Sequence, residues 1–305
     1  MTTSSSITIR AHAKINLTLD VGQRRADGYH DIESIMQTIA LHDVLTVTPT
    51  PDAPGVTLEV LGPEADGVPC DPSNIVHKAT VRLQKIAAAR GLLPGNKSGL
   101  HIVLEKNVPS QAGLGGGSSD AAAALRAIDR VFDLRLSRNR LTDLAAALGA
   151  DVPFFLTGGT ALAQGLGERI SEIDAWRGHW IVVVKPAAGV STAAAYGALD
   201  AQQDRRISRA TQQWLDDRAG GRQPTLHNDF EAVARQVPEI LDAFQAIKER
   251  AQGNEIAGPL LCGSGSAIFI AAANQETSTE IAQKVKQRNV GRVWLTETLD
   301  REEMF

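Results

Sequence analysis

Pro109-Ser-Gln-Ala-Gly-Leu-Gly-Gly-Gly-Ser-Ser-Asp120 is the stretch that decides the reading of this chain. Gly113, Gly115, Gly116 and Gly117 crowd into five positions. Leu100, Ile102 and Leu104 lead into the stretch with the alternation of a strand. An alanine-rich segment running to about Val131 leaves it as a helix. Glycine tolerates positive φ and lets backbone approach a ligand closely. The helix N-terminus adds unpaired N–H groups and roughly half a unit of positive charge. Strand, glycine turn and helix together make a phosphate cradle. Ser118 or Ser119 is expected to cap the helix. The stretch lacks the Gly-Lys-Ser/Thr ending of a P-loop, and its glycines are not spaced Gly-x-Gly-x-x-Gly as in dinucleotide-binding folds. Adjacent glycines cost chain entropy, which argues against a merely flexible, serine-capped loop.

Working outward, the N-terminal segment alternates. Ile7, Ile9, Ala11, Ala13, Ile15, Leu17, Leu19 and Val21 fall on odd positions and polar residues on even ones. This predicts strand, or two strands joined near Ala11–Ala13, with Lys14 and Asn16 sharing a face away from the core. A lysine there is either a solvated edge residue or a cation that keeps a nearby carboxylate ionised and stabilises charge moving to phosphate. Residues 33–48 are strand-like, and 48–55, with three prolines, read as a loop. Helices are expected over 74–89 (stripe Ile75, Ala79, Leu83, Ile86), 137–148, 191–199, 238–251 and 277–287, with strands over 180–185 and 292–299. Residues 201–225 are polar and are expected to hold a helix and a mobile loop. Mixed helices and strands point to α+β architecture.

Two further clusters can carry chemistry. Asp151, in Gly149-Ala-Asp-Val-Pro153, either caps a short helix or serves as a base or hydroxyl-orienting carboxylate. Gly258-Pro-Leu-Leu-Cys-Gly-Ser-Gly-Ser266 is either a plain hairpin turn or a tight turn beside a ligand. Cys262 within it reads as a small buried hydrophobe.

Composition narrows the class. The chain has 305 residues, 31 Lys+Arg against 35 Asp+Glu, and a formal charge of −4. With 43% hydrophobic and 22% charged residues it is globular, about two domains long. Mild acidity and 4% aromatics argue against a nucleic-acid partner. No apolar run approaches a membrane span, and Met1–Ser6 has neither the basic nor the apolar region of a signal peptide. Two cysteines make neither a disulfide framework nor a metal set. The expectation is a cytoplasmic enzyme or small-molecule binder.

These motifs resemble the galactokinase–homoserine kinase–mevalonate kinase–phosphomevalonate kinase superfamily. The 109–120 stretch is similar to its ATP-phosphate motif, Ala13-Lys-Ile-Asn-Leu17 to its lysine-bearing strand, and Gly263, Ser264, Gly265 and Ser266 to its third, glycine-rich motif. Arg25-Ala-Asp-Gly-Tyr-His30 and Leu148-Gly-Ala-Asp-Val-Pro-Phe154 narrow the resemblance to members acting on a cytidine-diphosphate conjugate of methylerythritol. The resemblance implies two domains, ribosomal-protein-S5-like over 1–160 and ferredoxin-like over 161–305, with the active site in the cleft. It implies Lys14 and Asp151 as catalytic residues. Pro109, Ser110, Gln111, Ala112, Gly113, Leu114, Gly115, Gly116, Gly117, Ser118 and Ser119 would bind ATP. Asn16, Tyr29, His30, Thr192 and Tyr196 would bind substrate, Tyr29 and Tyr196 as aromatic faces for the base. ATP and Mg²⁺ are the implied cofactors, Ser118 or Ser119 being within reach of a metal whose ligands stay unassigned. A monomer or weak homodimer without membrane or nucleic-acid partner is expected. A different superfamily kinase, a catalytically dead sensor and a dehydrogenase are the competing readings.

Overall fold

The structure, a computed structural model, describes residues 6–50, 53–93, 99–202, 205–251, 253 and 255–304. Its strands are β1 (Ile7–Asn16), β2 (Thr18–Arg24), β3 (His30–Thr50), β4 (Val56–Leu61), β5 (Gly99–Glu105), β6 (Thr160–Gly165), β7 (Arg169–Glu172), β8 (Trp180–Lys185), β9 (His227–Asn228), β10 (Glu255–Leu261), β11 (Ile268–Ala272) and β12 (Arg292–Glu297). Its helices are α1 (Ile75–Ala89), α2 (Gly116–Val131), α3 (Arg138–Ala146), α4 (Val152–Thr157), α5 (Thr192–Asp200), α6 (Ala210–Ala219), α7 (Glu231–Ala234), α8 (Pro238–Ala251) and α9 (Gln275–Gln287). The chain divides into two compact units built from interleaved segments.

The first unit takes residues up to Ala13, His42–Ser110 and Gly115–Leu156. Here Val44–Thr50 of β3 pairs antiparallel with β5, and β5 pairs parallel with β4. α1 starts at Asn74, whose side chain accepts from Val76 N at 2.8 Å. Ala79 and Leu83 are buried as the stripe predicts, but its edges are Val76 and Ala87 rather than Ile75 and Ile86. α1 packs on α2, where Ala121–Ala124 and Ala127 are all buried. Their small side chains let the two helices approach closely. Ser137 caps α3, accepting from Arg140 N.

The second unit takes Lys14–Leu41, Gln111–Leu114 and the residues from Thr157 onward. Ile32–Gln37 of β3 pairs antiparallel with β6, and β6 with β7. β2 pairs antiparallel with β3 and parallel with β9. A second sheet runs β10-β11-β8-β12, antiparallel throughout. β8 and β11 turn Val182, Val184, Ile268 and Ile270 into a core shared with Phe244 and Ile247 of α8 and Ile281 and Val285 of α9. Fully burying one such side chain stabilises the fold by about 1.5–3 kcal/mol.

Several sequence expectations change. The first two strands part at Leu17, not at Ala11–Ala13; there Leu17 N bonds Ile35 O and Thr18 Oγ1 accepts from Ile35 N. β3 continues to Thr50, three residues into the expected 48–55 loop, because Thr48–Thr50 still pair with β5; residues 51 and 52 of that loop lie outside the described residues. So do residues 1–5 of the N-terminus and 203 and 204 of the polar stretch, which does hold α6. From His12 to Asp20 the even face of the N-terminal strands is buried, not solvated, while Thr8 and Arg10 stay exposed. Thr18 bonds Thr211, and Asp20 accepts from Ala210 N and Thr211 N, so the start of α6 covers that face.

Candidate active site

In the first unit, β5 delivers the chain through Lys106 to the glycine turn, and α2 leaves it. Gly115 stands at the N-cap with φ 72°, and no side chain caps the helix. The expected serine cap is therefore absent: the left-handed Gly115 starts the helix earlier, leaving both serines inside it. Ser119 is buried and donates to His12 O at 2.6 Å. The first N–H groups of α2 thus stay open to an acceptor from outside. A Cβ on Gly117 would meet nothing within 4 Å. One on Gly116 would press on Val108 at 3.1 Å. Pro109 is buried and Ser110 exposed. Asp151, in the same unit, stands half-buried directly before α4, with Pro153 in the first turn of that helix.

Below the turn lies a buried ionic cluster that sequence reasoning missed. Lys106 Nζ bonds Asp43 Oδ2 and lies 2.7 Å from Asp120 Oδ2. Asp43 Oδ1 accepts from Asn107 N (2.6 Å) and Val108 N (2.8 Å). Burial raises the Asp120 carboxyl well above the usual carboxylate range, with Lys106 pulling the other way. The two carboxylates raise the Lys106 ammonium, against a desolvation that lowers it. The available signal was Asp43 amid Leu41, Val44 and Leu45 of a strand-like stretch, and Lys106 directly after another strand.

In the second unit, Lys14 and Asn16 are 3% and 1% exposed. They do share a face: Lys14 Nζ donates to Asn16 Oδ1 at 2.7 Å. That oxygen also accepts from Gly263 N at 3.0 Å, while Asn16 Nδ2 donates to Ser34 Oγ at 2.8 Å. The 262–267 turn closes on itself through Cys262 N to Ala267 O. Asn228, which no motif singled out, donates to Leu261 O and Gly263 O. Segment 111–114 is clasped between this turn and β1. Ala267 N donates to Ala112 O, and Lys14 N to Leu114 O. A Cβ on Gly113 would lie 1.8 Å from Cys262 O, so only glycine fits. Gln111 is exposed at φ 53°. Cys262 is fully buried, its thiol pushed up to about 12 by burial.

The expected base-binding residues also fall here. Tyr29 is 62% exposed. His30 and Tyr196 stack with ring centroids 5.0 Å apart, and Tyr196 meets Phe230 edge-on. His30 Nδ1 lies 3.0 Å from Gly22 O and its Nε2 3.2 Å from Asp200 Oδ1. Thr192 is the first residue of α5, and its hydroxyl lies 3.0 Å from that of Ser264. Ser266 Oγ accepts from Lys185 Nζ at 3.3 Å. Asp20, His227 and Asp229 have the spacing of a cation site, but Val21 N, Ala210 N and Thr211 N already occupy carboxylate oxygens there. Among the described residues no helix is long and apolar enough to cross a membrane.

An uncapped, glycine-rich helix N-terminus following a strand suits a phosphoryl-transfer enzyme. Residues 74–159 match the family model described as the N-terminal domain of the GHMP kinases. A homoserine kinase from Cytophaga hutchinsonii shares the fold, with TM-score 0.71 and 18% identity over 97% of this chain and 96% of its own. A crystal structure of 4-(cytidine 5'-diphospho)-2C-methyl-D-erythritol kinase reaches TM-score 0.76 and 33% identity over 96% of this chain and 99% of its own. The 4-diphosphocytidyl-2-C-methyl-D-erythritol kinase of Moorella thermoacetica is 42% identical over 291 residues, 92% of this chain and 95% of that one. That of Geobacter metallireducens is 40% identical over 287 residues, 92% and 94% of the two chains. The chain belongs to the 4-diphosphocytidyl-2-C-methyl-D-erythritol kinase family, and is a phosphotransferase that uses ATP.

Proposed function

We propose that this chain transfers the γ-phosphoryl group of ATP to the 2-hydroxyl of 4-diphosphocytidyl-2-C-methyl-D-erythritol. The products are the 2-phosphate and ADP, in the non-mevalonate route to isoprenoid precursors. The observation that carries the reading is the first turn of α2: open N–H groups, no side-chain cap, and a glycine facing empty space. An anionic phosphate chain is the ligand that such a turn suits. Asp151 accepts or orients the proton of the acceptor hydroxyl. Lys14, its ammonium oriented by Asn16, stabilises the charge developing on the transferring group. Mg²⁺ bound with ATP would neutralise the polyphosphate charge. Ser118 is the serine available to it, since Ser119 is spent on His12 O.

Tyr29 and Tyr196 offer aromatic faces to the cytosine, with His30 and Lys14 at its edge; Asn16 helps position the acceptor, and Thr192 is a further substrate contact. His30 reaches the base by exchanging its bond to Asp200 or Gly22 for one to the ligand. The same reading assigns 1–160 to a ribosomal-protein-S5-like domain and 161–305 to a ferredoxin-like one, in a cytoplasmic monomer or weak homodimer. A coupled ADP-release assay with Mg-ATP tests it, offering the cytidine-diphosphate methylerythritol, mevalonate and homoserine in parallel. Turnover with the first alone is expected. Turnover with either of the others instead refutes the cytidine-site assignment.

A further inference from the structure

The turn that precedes α2 has its two sides joined by a single buried ammonium. On one side Asp43 Oδ1 holds the N–H groups of Asn107 and Val108, where the chain leaves β5. On the other, Asp120 projects from the second turn of α2. Lys106 Nζ bonds both carboxylates, and all three side chains are buried. The same ammonium would lie 3.4 Å from a Cβ placed on Gly116. Burying three ionisable groups is a poor route to stability, because the hydration they lose offsets much of their attraction. What such a cluster does supply is direction: charge-assisted hydrogen bonds are short and angle-selective.

We propose that Lys106 is a positioning residue for the nucleotide: by tying Asp43 to Asp120 it fixes the strand end against the helix start, and so sets the aim of the α2 N–H groups. The inference rests on reading Gly115–Ser119 as the ATP cradle. Neither Lys106 nor Asp43 touches the nucleotide in this account. Their effect passes through backbone direction, so it falls on ATP and spares the acceptor.

The test uses the full chain with Lys106→Met and, separately, Asp120→Asn, measuring KM for ATP and for the acceptor. Lys106→Met is expected to raise the ATP KM tenfold or more while the acceptor KM stays within twofold. Asp120→Asn keeps one oxygen for the ammonium and is expected to raise the ATP KM less, again without moving the acceptor. An unchanged ATP KM, or an equal rise in both constants, overturns the role. If Lys106→Met does not fold, Asp120→Asn decides on the same split. Hydrogen exchange of the unaltered protein with Mg-ADP separates the two ideas. Slowed exchange at 115–119 with flat variant constants overturns the positioning role alone. Unslowed exchange there overturns the cradle and the positioning role with it.

Discussion

Gly117→Ala separates fold from function at one methyl group. Gly117 sits in the first turn of α2, and its added Cβ meets no protein atom within 4 Å. Alanine is the better helix former by up to about 1 kcal/mol, so the variant is expected to hold its stability or gain a degree or two in Tm. On the proposed reading, the methyl nevertheless stands where a phosphate must come to reach the N–H groups. Losing one hydrogen bond to a charged group costs about 1.5–3 kcal/mol, or about 10- to 150-fold in affinity. The KM for Mg-ATP should rise by that factor while the acceptor KM stays within twofold. Steady-state kinetics with each substrate varied in turn, beside a thermal melt, reads both quantities. A variant with unchanged ATP KM would refute the placing of phosphate on this face of the turn. Gly113→Ala is the contrasting case: its Cβ would lie 1.8 Å from a backbone carbonyl at φ 76°, so that variant is expected to fail in folding before it fails in binding.

Asp151→Ala should lose most turnover with ATP affinity nearly intact, measured by single-turnover assay and nucleotide titration; undiminished turnover would remove it from the chemistry. Tyr29→Ala should raise the KM for the cytidine substrate about fivefold, from ~1 kcal/mol of stacking, without a change in Tm, since the ring is mostly exposed. The hydrogen bond to Asp229 raises the His227 pKa above its ordinary 6.5. The folded state therefore binds the proton more tightly, and the stability this gives is present below pH 6.5 and lost as pH rises through the higher folded value. His227→Ala should flatten that part of the Tm–pH curve, and an unaltered slope would assign the dependence elsewhere.

Local patterns in the sequence carried the elements well. Trp180–Lys185 and Pro238–Ala251 have the bounds that periodicity predicts, and Asn74, Ser137 and Ser191 cap helices as their residue types suggest. The start of α2 was misplaced because a left-handed glycine did what a serine cap was expected to do. Lys14 and Asn16 were expected to face away from the core, and the sequence does not show what covers them because it comes from afar: Asn16 meets Gly263. Period-two alternation reports which side a residue faces, not what another part of the chain lays over it. The pairing of Asp43 with Lys106 and Asp120 was likewise invisible, since nothing in their spacing announces a shared ammonium. The glycine turn was legible because backbone freedom leaves a mark in composition.

The clasp on segment 111–114 has a consequence for synthesis on the ribosome. Ala112 accepts its hydrogen bond from Ala267, about 155 residues later, a stretch that takes about 8–30 s to translate at ordinary elongation rates. Throughout that interval the tip of the glycine turn has a strand before it and a helix after it but lacks the Cys262–Ala267 turn that closes over Gly113. If the 109–119 turn holds ATP as proposed, a nascent chain gains little from the nucleotide until nearly all of it has emerged. Nucleotide added during synthesis should not protect truncated chains ending before Cys262 from proteolysis, whereas it should protect the finished one.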